Sequence, residues 1–168
     1  VVGNHQSLDG SPLYPELAGQ PVVATNSETN FELLAELQPQ VVISSVRAHG
    51  VVTDDEALKG FKITDIKLNL RNPELMSQEI LLLGKVFGKE EKAQELVNFY
   101  NKCQTFIDER VKDVPESERP KVFVEYHSGD FKTGAPHSRF YQQVVLAGGN
   151  NIAVDLVEEP QVDAEWVA

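Results

Sequence analysis

Between Lys89 and Val111 an apolar stripe recurs at helical spacing without a break: Ala93, Leu96, Val97, Tyr100, Cys103, Ile107 and Val111. Steps of three and four place these residues on one face of a helix with 3.6 residues per turn. Roughly 23 residues at about 1.5 Å each make a rod of about 35 Å. That is long enough to cross from one lobe of a small protein to another. The segment 115–120 is polar and carries Pro115 and Pro120, so it reads as the turn that follows the rod.

Short strands and helices alternate on both sides of this helix. Before it, Val1-Val2-Gly3 reads as the end of a buried strand and 21–24 as another strand. Asn30 can cap a helix through Leu33, Leu34 and Leu37 that stops before Pro39. Val41-Val42-Ile43-Ser44 is β-branched and apolar, the pattern of a central parallel strand buried on both faces. An acidic stretch, Asp54-Asp55-Glu56, and a strand over 63–68 follow. Asn72-Pro73-Glu74 combines a capping Asn, Pro at the first helical position and an acid in the first turn, so a helix starts there and ends near Gly88. Beyond the long helix, 122–126 reads as a strand and 127–136 as a loop. Ser138 caps a helix to about Ala147, 148–151 is a turn, 152–154 is a short strand, and Asp163 caps a last helix. The alternation is that of parallel sheets with helices on their faces, an α/β fold.

Charge and composition exclude several functions. The formal net charge of -11 argues against a nucleic-acid binder, which needs clustered Lys and Arg to neutralise phosphates. The longest apolar run, Ile80 to Leu83, is too short to span a bilayer. Cys103 is the single cysteine, so no intrachain disulfide forms; its place on the stripe predicts a core residue. Val1 and Ala168 read as cut ends, with targeting information outside this sequence.

A faint internal repeat relates the two sides of the long helix. Asn30-Phe31-Glu32 and Asp163-Ala164-Glu165 each open a helix after a polar loop, with Glu two residues beyond the cap. Four stretches then resemble the iron-chelate and vitamin B12 class of periplasmic binding proteins, the solute-binding components of ABC importers. They are Asn30-Phe31-Glu32-Leu33-Leu34 on to Pro39-Gln40-Val41-Val42-Ile43, then Leu83-Gly84-Lys85-Val86-Phe87-Gly88-Lys89-Glu90-Glu91-Lys92-Ala93, then Ala147-Gly148-Gly149-Asn150-Asn151-Ile152-Ala153, and then Pro160 to Trp166. Gln40 departs from the pattern, which usually has Asp after the Pro.

The resemblance implies two α/β lobes, each built on a parallel sheet, joined by one rigid helix, with the ligand held in the cleft between them. The corresponding boundaries are 1–88 for the first lobe, 89–114 for the connecting helix and 115–168 for a partial second lobe. It implies a first strand before Val1 and the remainder of the second lobe after Ala168. The expected ligand is an iron(III)-siderophore or related metal chelate, with cobalamin or haem as alternatives. The expected partner is a dimeric membrane permease, and the expected location is periplasmic or extracytoplasmic, with room for a lipid anchor on a segment outside this sequence. The resemblance also places an exposed, permease-docking Glu at Glu32 and at Glu165. No cofactor, catalytic residue or bound metal is expected.

The residues that carry ligand chemistry lie in loops after strands, the ligand-facing ends of open α/β sheets. His5, His49, His127 and His137 all read as such loop histidines; none is paired at the spacing of a helical metal motif, and each reads more readily as a solvated loop residue than as a ligand. Arg47 follows the 41–44 strand and suits an anionic chelate, although a surface Arg fits as well. Tyr126, His127, Phe131, Lys132 and Arg139 cluster after the 122–126 strand and offer aromatic faces and cations. Tyr126 also alternates with Val122 and Val124 and so could be core. Ser138 and Arg139 stand at a helix start, a favourable place for an anion. Tyr14, in Ser11-Pro12-Leu13-Tyr14-Pro15, is a further candidate aromatic. The ligand-binding set is therefore Tyr14, Arg47, His49, Tyr126, His127, Phe131 and Arg139. A metal-dependent α/β enzyme using the histidines with Glu125 or Asp130 is the alternative from another class. No nucleophile or phosphate loop accompanies those carboxylates, and Gly148-Gly149 lacks the rest of a dinucleotide fingerprint.

Overall fold

A computed structural model of the chain describes residues 1–25, 28–46, 55–126, 130–136, 138–157 and 160–168. The described residues group into two compact units, Val1–Asn69 and Leu70–Ala168. The division between units falls after Asn69, ahead of the lobe boundary expected at residue 88. The helix that ends there packs along the long helix, within the second unit.

In the first unit, β1 (Asn4–His5) pairs in parallel with β2 (Val22–Ala24), and β3 (Val41–Ser45) pairs in parallel with β4 (Thr64–Leu68). The strand residues expected over Val1–Gly3 therefore lie at Asn4–His5 instead. A Cβ at Gly3 would lie 2.6 Å from the Val23 side chain, so only a bare backbone passes there. Helix α1 (Phe31–Leu37) starts where expected: the Asn30 side chain accepts the Leu33 N–H at 2.9 Å. Helix α2 (Asp55–Gly60) begins within the acidic stretch, where periodicity predicts no element. Leu34, Leu58 and Ile63 form the core, and Val23, Phe31 and Val42 pack against it. Val41 and Ile43 are exposed, so β3 is buried on one face only, contrary to expectation. Val42 alone of that apolar run joins the core, because side chains along a strand alternate between faces.

The second unit opens with α3 (Pro73–Phe87) and α4 (Glu90–Val111). Asn72 caps α3 by accepting the Glu74 N–H at 2.9 Å, Pro73 takes the first helical position, and Gly88 closes the helix. Lys89 N–H then donates to the Gly84 carbonyl at 2.7 Å and turns the chain back. Gly84 lies against Ala93, close enough that any larger residue there would push α3 and α4 apart. The long helix is a single element of 22 residues, as the stripe predicts. Only part of the stripe is covered: Ala93 and Val97 are buried, whereas Leu96, Cys103 and Ile107 are exposed, as are Phe99 and Phe106 beside them. Cys103 is therefore not core. Period identifies the apolar face of a helix but not which turns of it meet a partner.

Beyond α4, β5 (Lys121–Val122) pairs in parallel with β6 (Asn150–Asn151), and α5 (Arg139–Leu146) lies between them in sequence. Two strands are shorter than or displaced from expectation. The segment 123–126 leaves the ladder because Tyr126 N–H donates to the Lys132 carbonyl at 2.9 Å instead. The ladder partner on the other side is Asn150–Asn151, expected as a turn, while Ile152–Val154, expected as a strand, is a turn held by Ala153 N–H donating to Asn151 Oδ1 at 2.9 Å. Helix α6 (Ala164–Val167) ends the chain, capped by Asp163, which accepts the Trp166 N–H at 2.8 Å.

Candidate functional site

Each unit presents an aromatic loop after its opening strand. In the first unit the chain leaves β1 through consecutive tight turns: Asp9 N–H donates to Gln6 O, Ser11 to Leu8, Tyr14 to Ser11, Leu17 to Tyr14 and Gln20 to Leu17, all between 3.0 and 3.2 Å. This relay lifts Leu13 and Tyr14 into solvent, 79% and 45% exposed. The base is fixed by buried Asn4, whose Nδ2 donates to the Leu17 carbonyl at 3.3 Å. His5 is the last residue of β1 rather than a loop residue. Its Nδ1 accepts the Ser7 N–H at 3.1 Å and lies 2.8 Å from the Ser7 hydroxyl, so it caps the first tight turn.

In the second unit the loop is packed, not lifted. Tyr126 is half-buried, its ring 4.6 Å from the Phe140 ring, and its hydroxyl lies over Gly134 beside the Ser138 hydroxyl. A Cβ at Gly134 would fall on both hydroxyls. Tyr126 thus braces the loop through its ring and hydroxyl, and the rest of its surface stays part-exposed. Thr133, Ala135 and Ser138 are buried around it. Ser138 caps α5 by accepting the Tyr141 N–H at 3.1 Å. The Arg139 guanidinium stacks over the Phe140 ring at 4.3 Å, so its charge is held at the start of α5 by a cation–π contact.

Phe131 has φ +50, in the left-handed region. For a residue with a Cβ this costs about 1–2 kcal/mol, and such a conformation persists only where neighbours enforce it. Four hydrogen bonds do so here. Phe131 N–H donates to Glu125 Oε1 at 2.8 Å, Lys132 N–H to Asp130 Oδ1 at 3.0 Å, Val162 N–H to the Phe131 carbonyl at 3.2 Å, and Tyr126 N–H to the Lys132 carbonyl at 2.9 Å. Glu125 and Asp130, weighed in the sequence as acid and base groups, instead accept backbone N–H groups. Sequence reasoning missed this role; Asp two residues before an amide it can cap is a turn signal, but Glu six residues before one is not.

Arg47, His49, His127 and His137 lie outside the described residues. Among the described residues no group of three or more His, Cys, Asp or Glu is placed to hold a metal ion. No helix among them is long and apolar enough to cross a membrane.

Glu32 and Glu165 are both exposed, each in the first turn of its helix, α1 and α6. An isolated bridge stands just ahead of each of these helices. An antiparallel bridge, Ala24 with Thr29, precedes the Asn30 cap, and a second, Lys132 with Gln161, precedes the Asp163 cap.

Comparisons with known proteins bear on the whole chain. An ABC transporter substrate-binding protein from Listeria monocytogenes EGD-e superposes with a TM-score of 0.76 at 21% identity, over 99% of this chain and 62% of its own. A TroA-like periplasmic binding protein, FepB, from Veillonella parvula gives 0.76 at 23% identity, over 99% and 53%. The periplasmic vitamin B12 binding protein BtuF of Vibrio cholerae gives 0.73 at 21%, over 99% and 63%. The same fold carries the periplasmic heme-binding protein BhuT and the molybdate-binding protein MolA. The chain spans between about half and two thirds of the length of these proteins. No curated protein sequence matches significantly. The family model described as periplasmic binding protein matches residues 1–168, end to end. With parallel strand pairs, flanking helices and a matched repeat of capped helices already in place, the chain belongs to the periplasmic binding protein family.

Proposed function

We propose that the protein of which this chain is part is the extracytoplasmic solute-binding component of an ABC importer, taking an iron(III)-siderophore or related metal chelate and delivering it to the permease. It works by reversible binding, without turnover. The match of the family model over the whole chain carries this reading. The ligand contacts are Tyr14, Arg47 and His49 from the first unit and Tyr126, His127, Phe131 and Arg139 from the second. Aromatic faces and guanidinium groups suit a large, flat or anionic chelate. Cobalamin or haem is the second reading, favoured by the shared fold of the vitamin B12 and heme binding proteins. Native mass spectrometry of the full-length protein against a ferric hydroxamate, a ferric catecholate, haemin and cyanocobalamin tests the reading. A one-to-one complex with one of these supports it; no complex with any of them overturns the ligand class.

Glu32 and Glu165 dock the permease, one per unit. Both are exposed, both follow a capping side chain, and both follow an antiparallel bridge, so the pair would suit a permease made of two like subunits. Pairing with Arg across such an interface speeds encounter more than it adds affinity. The double change Glu32→Arg with Glu165→Arg in the full-length protein should abolish uptake and leave ligand affinity intact. Normal uptake would remove the docking role. Loss of ligand binding would assign these positions to the binding site or the fold.

A further inference from the structure

We propose that Glu125 is a positioning residue for ligand recognition: its carboxylate holds Phe131 in the left-handed conformation and so fixes where the aromatic ring stands. This rests on the solute-binding reading above, in which Phe131 is a ligand contact. The observation is a conformational anomaly with an identifiable cause. Phe131 is unsuited to φ +50, and its amide is taken by Glu125 Oε1 at 2.8 Å. The next amide, of Lys132, is taken by Asp130 Oδ1 at 3.0 Å. The two carboxylates therefore accept consecutive N–H groups and turn the backbone where a glycine would ordinarily be needed. Val162 N–H and Tyr126 N–H secure the two carbonyls of the same residues. A residue with no Cβ would make the turn without this apparatus. Keeping a large aromatic there, at the cost of two acceptors, is what a site that needs the ring itself requires.

The experiment uses the full-length protein as wild type, Glu125→Ala and Glu125→Gln, with two readouts. The first is amide hydrogen exchange at Phe131 and Lys132 without ligand. The second is affinity for haemin, cyanocobalamin and a ferric hydroxamate. Glu125→Ala should speed exchange at Phe131 about tenfold and weaken binding of the recognised probe about tenfold, the loss expected for one charge-assisted hydrogen bond. Glu125→Gln keeps an acceptor oxygen and should stay within about threefold on both readouts. Unchanged exchange at Phe131 in Glu125→Ala overturns the proposal whatever happens to binding. Faster exchange with unchanged affinity leaves Glu125 a structural residue and also overturns it. A wild type that binds none of the probes fails the ligand reading itself, and takes the positioning role with it; the exchange readout separates that failure from a failure of the latch.

Discussion

The aromatic loops of the two units are held by opposite means. The Tyr14 loop stands on a relay of local backbone turns, each amide reaching a carbonyl three residues back, with one buried side chain, Asn4, tying down its base. The described part of the Phe131 loop is held by side-chain acceptors and by a close approach of Tyr126 and Ser138 to a bare backbone at Gly134. A relay of backbone bonds is nearly indifferent to which side chains it carries. A packed loop is sensitive to single atoms. The first loop should therefore tolerate substitution at its tip, and the second should not.

The largest effect is expected at Gly134. Gly134→Ala places a methyl on the Tyr126 and Ser138 hydroxyls, while Tyr126 is pinned by Phe140 and Ser138 by its cap. It should cost about 1–3 kcal/mol in denaturant unfolding. A neutral result would mean that the loop is not packed as described. Next comes Asn4→Ala, the weak point of the first loop. Loss of the bond to Leu17 should cost about 1–2 kcal/mol and speed exchange through 6–20, whereas an unaltered loop would show that the turns stand alone. Gly10→Ala should cost about 1 kcal/mol, since Gly10 has φ +69 but meets nothing within 4 Å. Here the penalty is one of backbone alone, and Gly10→Asn, which tolerates that region, should recover most of it. Smallest of all, Ser11→Ala removes a long 3.4 Å bond to the Leu13 amide and should stay within about 0.5 kcal/mol. A larger loss would break the contrast between the loops.

What was legible in the sequence was local. Asn72-Pro73 and Gly88 fix both ends of α3, Asn30 and Asp163 cap α1 and α6, and the 3.6-residue stripe gives α4 its length, because each signal acts within a few residues. Strand limits were less legible. β1 and β6 were displaced by a few residues, since where a short strand pairs depends on a partner distant in the chain. The burial of Cys103 and of β3 was misread for the same reason: apolar pattern names a face, and the tertiary partner decides its burial. Of the candidate residues, the sequence placed Tyr14 and Phe131 in loops and Ser138 at a helix cap, as the structure has them. It gave no sign that Phe131 would be left-handed, because Phe is a poor residue for that conformation and the hydrogen bonds that enforce it come from residues up to 31 positions away, as with Val162.

The most direct measurement is an equilibrium titration of the full-length protein, as wild type, Tyr14→Ala, Phe131→Ala and the double variant, against a ferric hydroxamate, haemin and cyanocobalamin. If both loops read the ligand, wild type binds one probe one-to-one and returns it unchanged. Each single variant should then bind about tenfold more weakly and the double about a hundredfold, as for two independent contacts. Affinity equal to wild type in all three variants, or conversion of the probe to a product, would contradict the account.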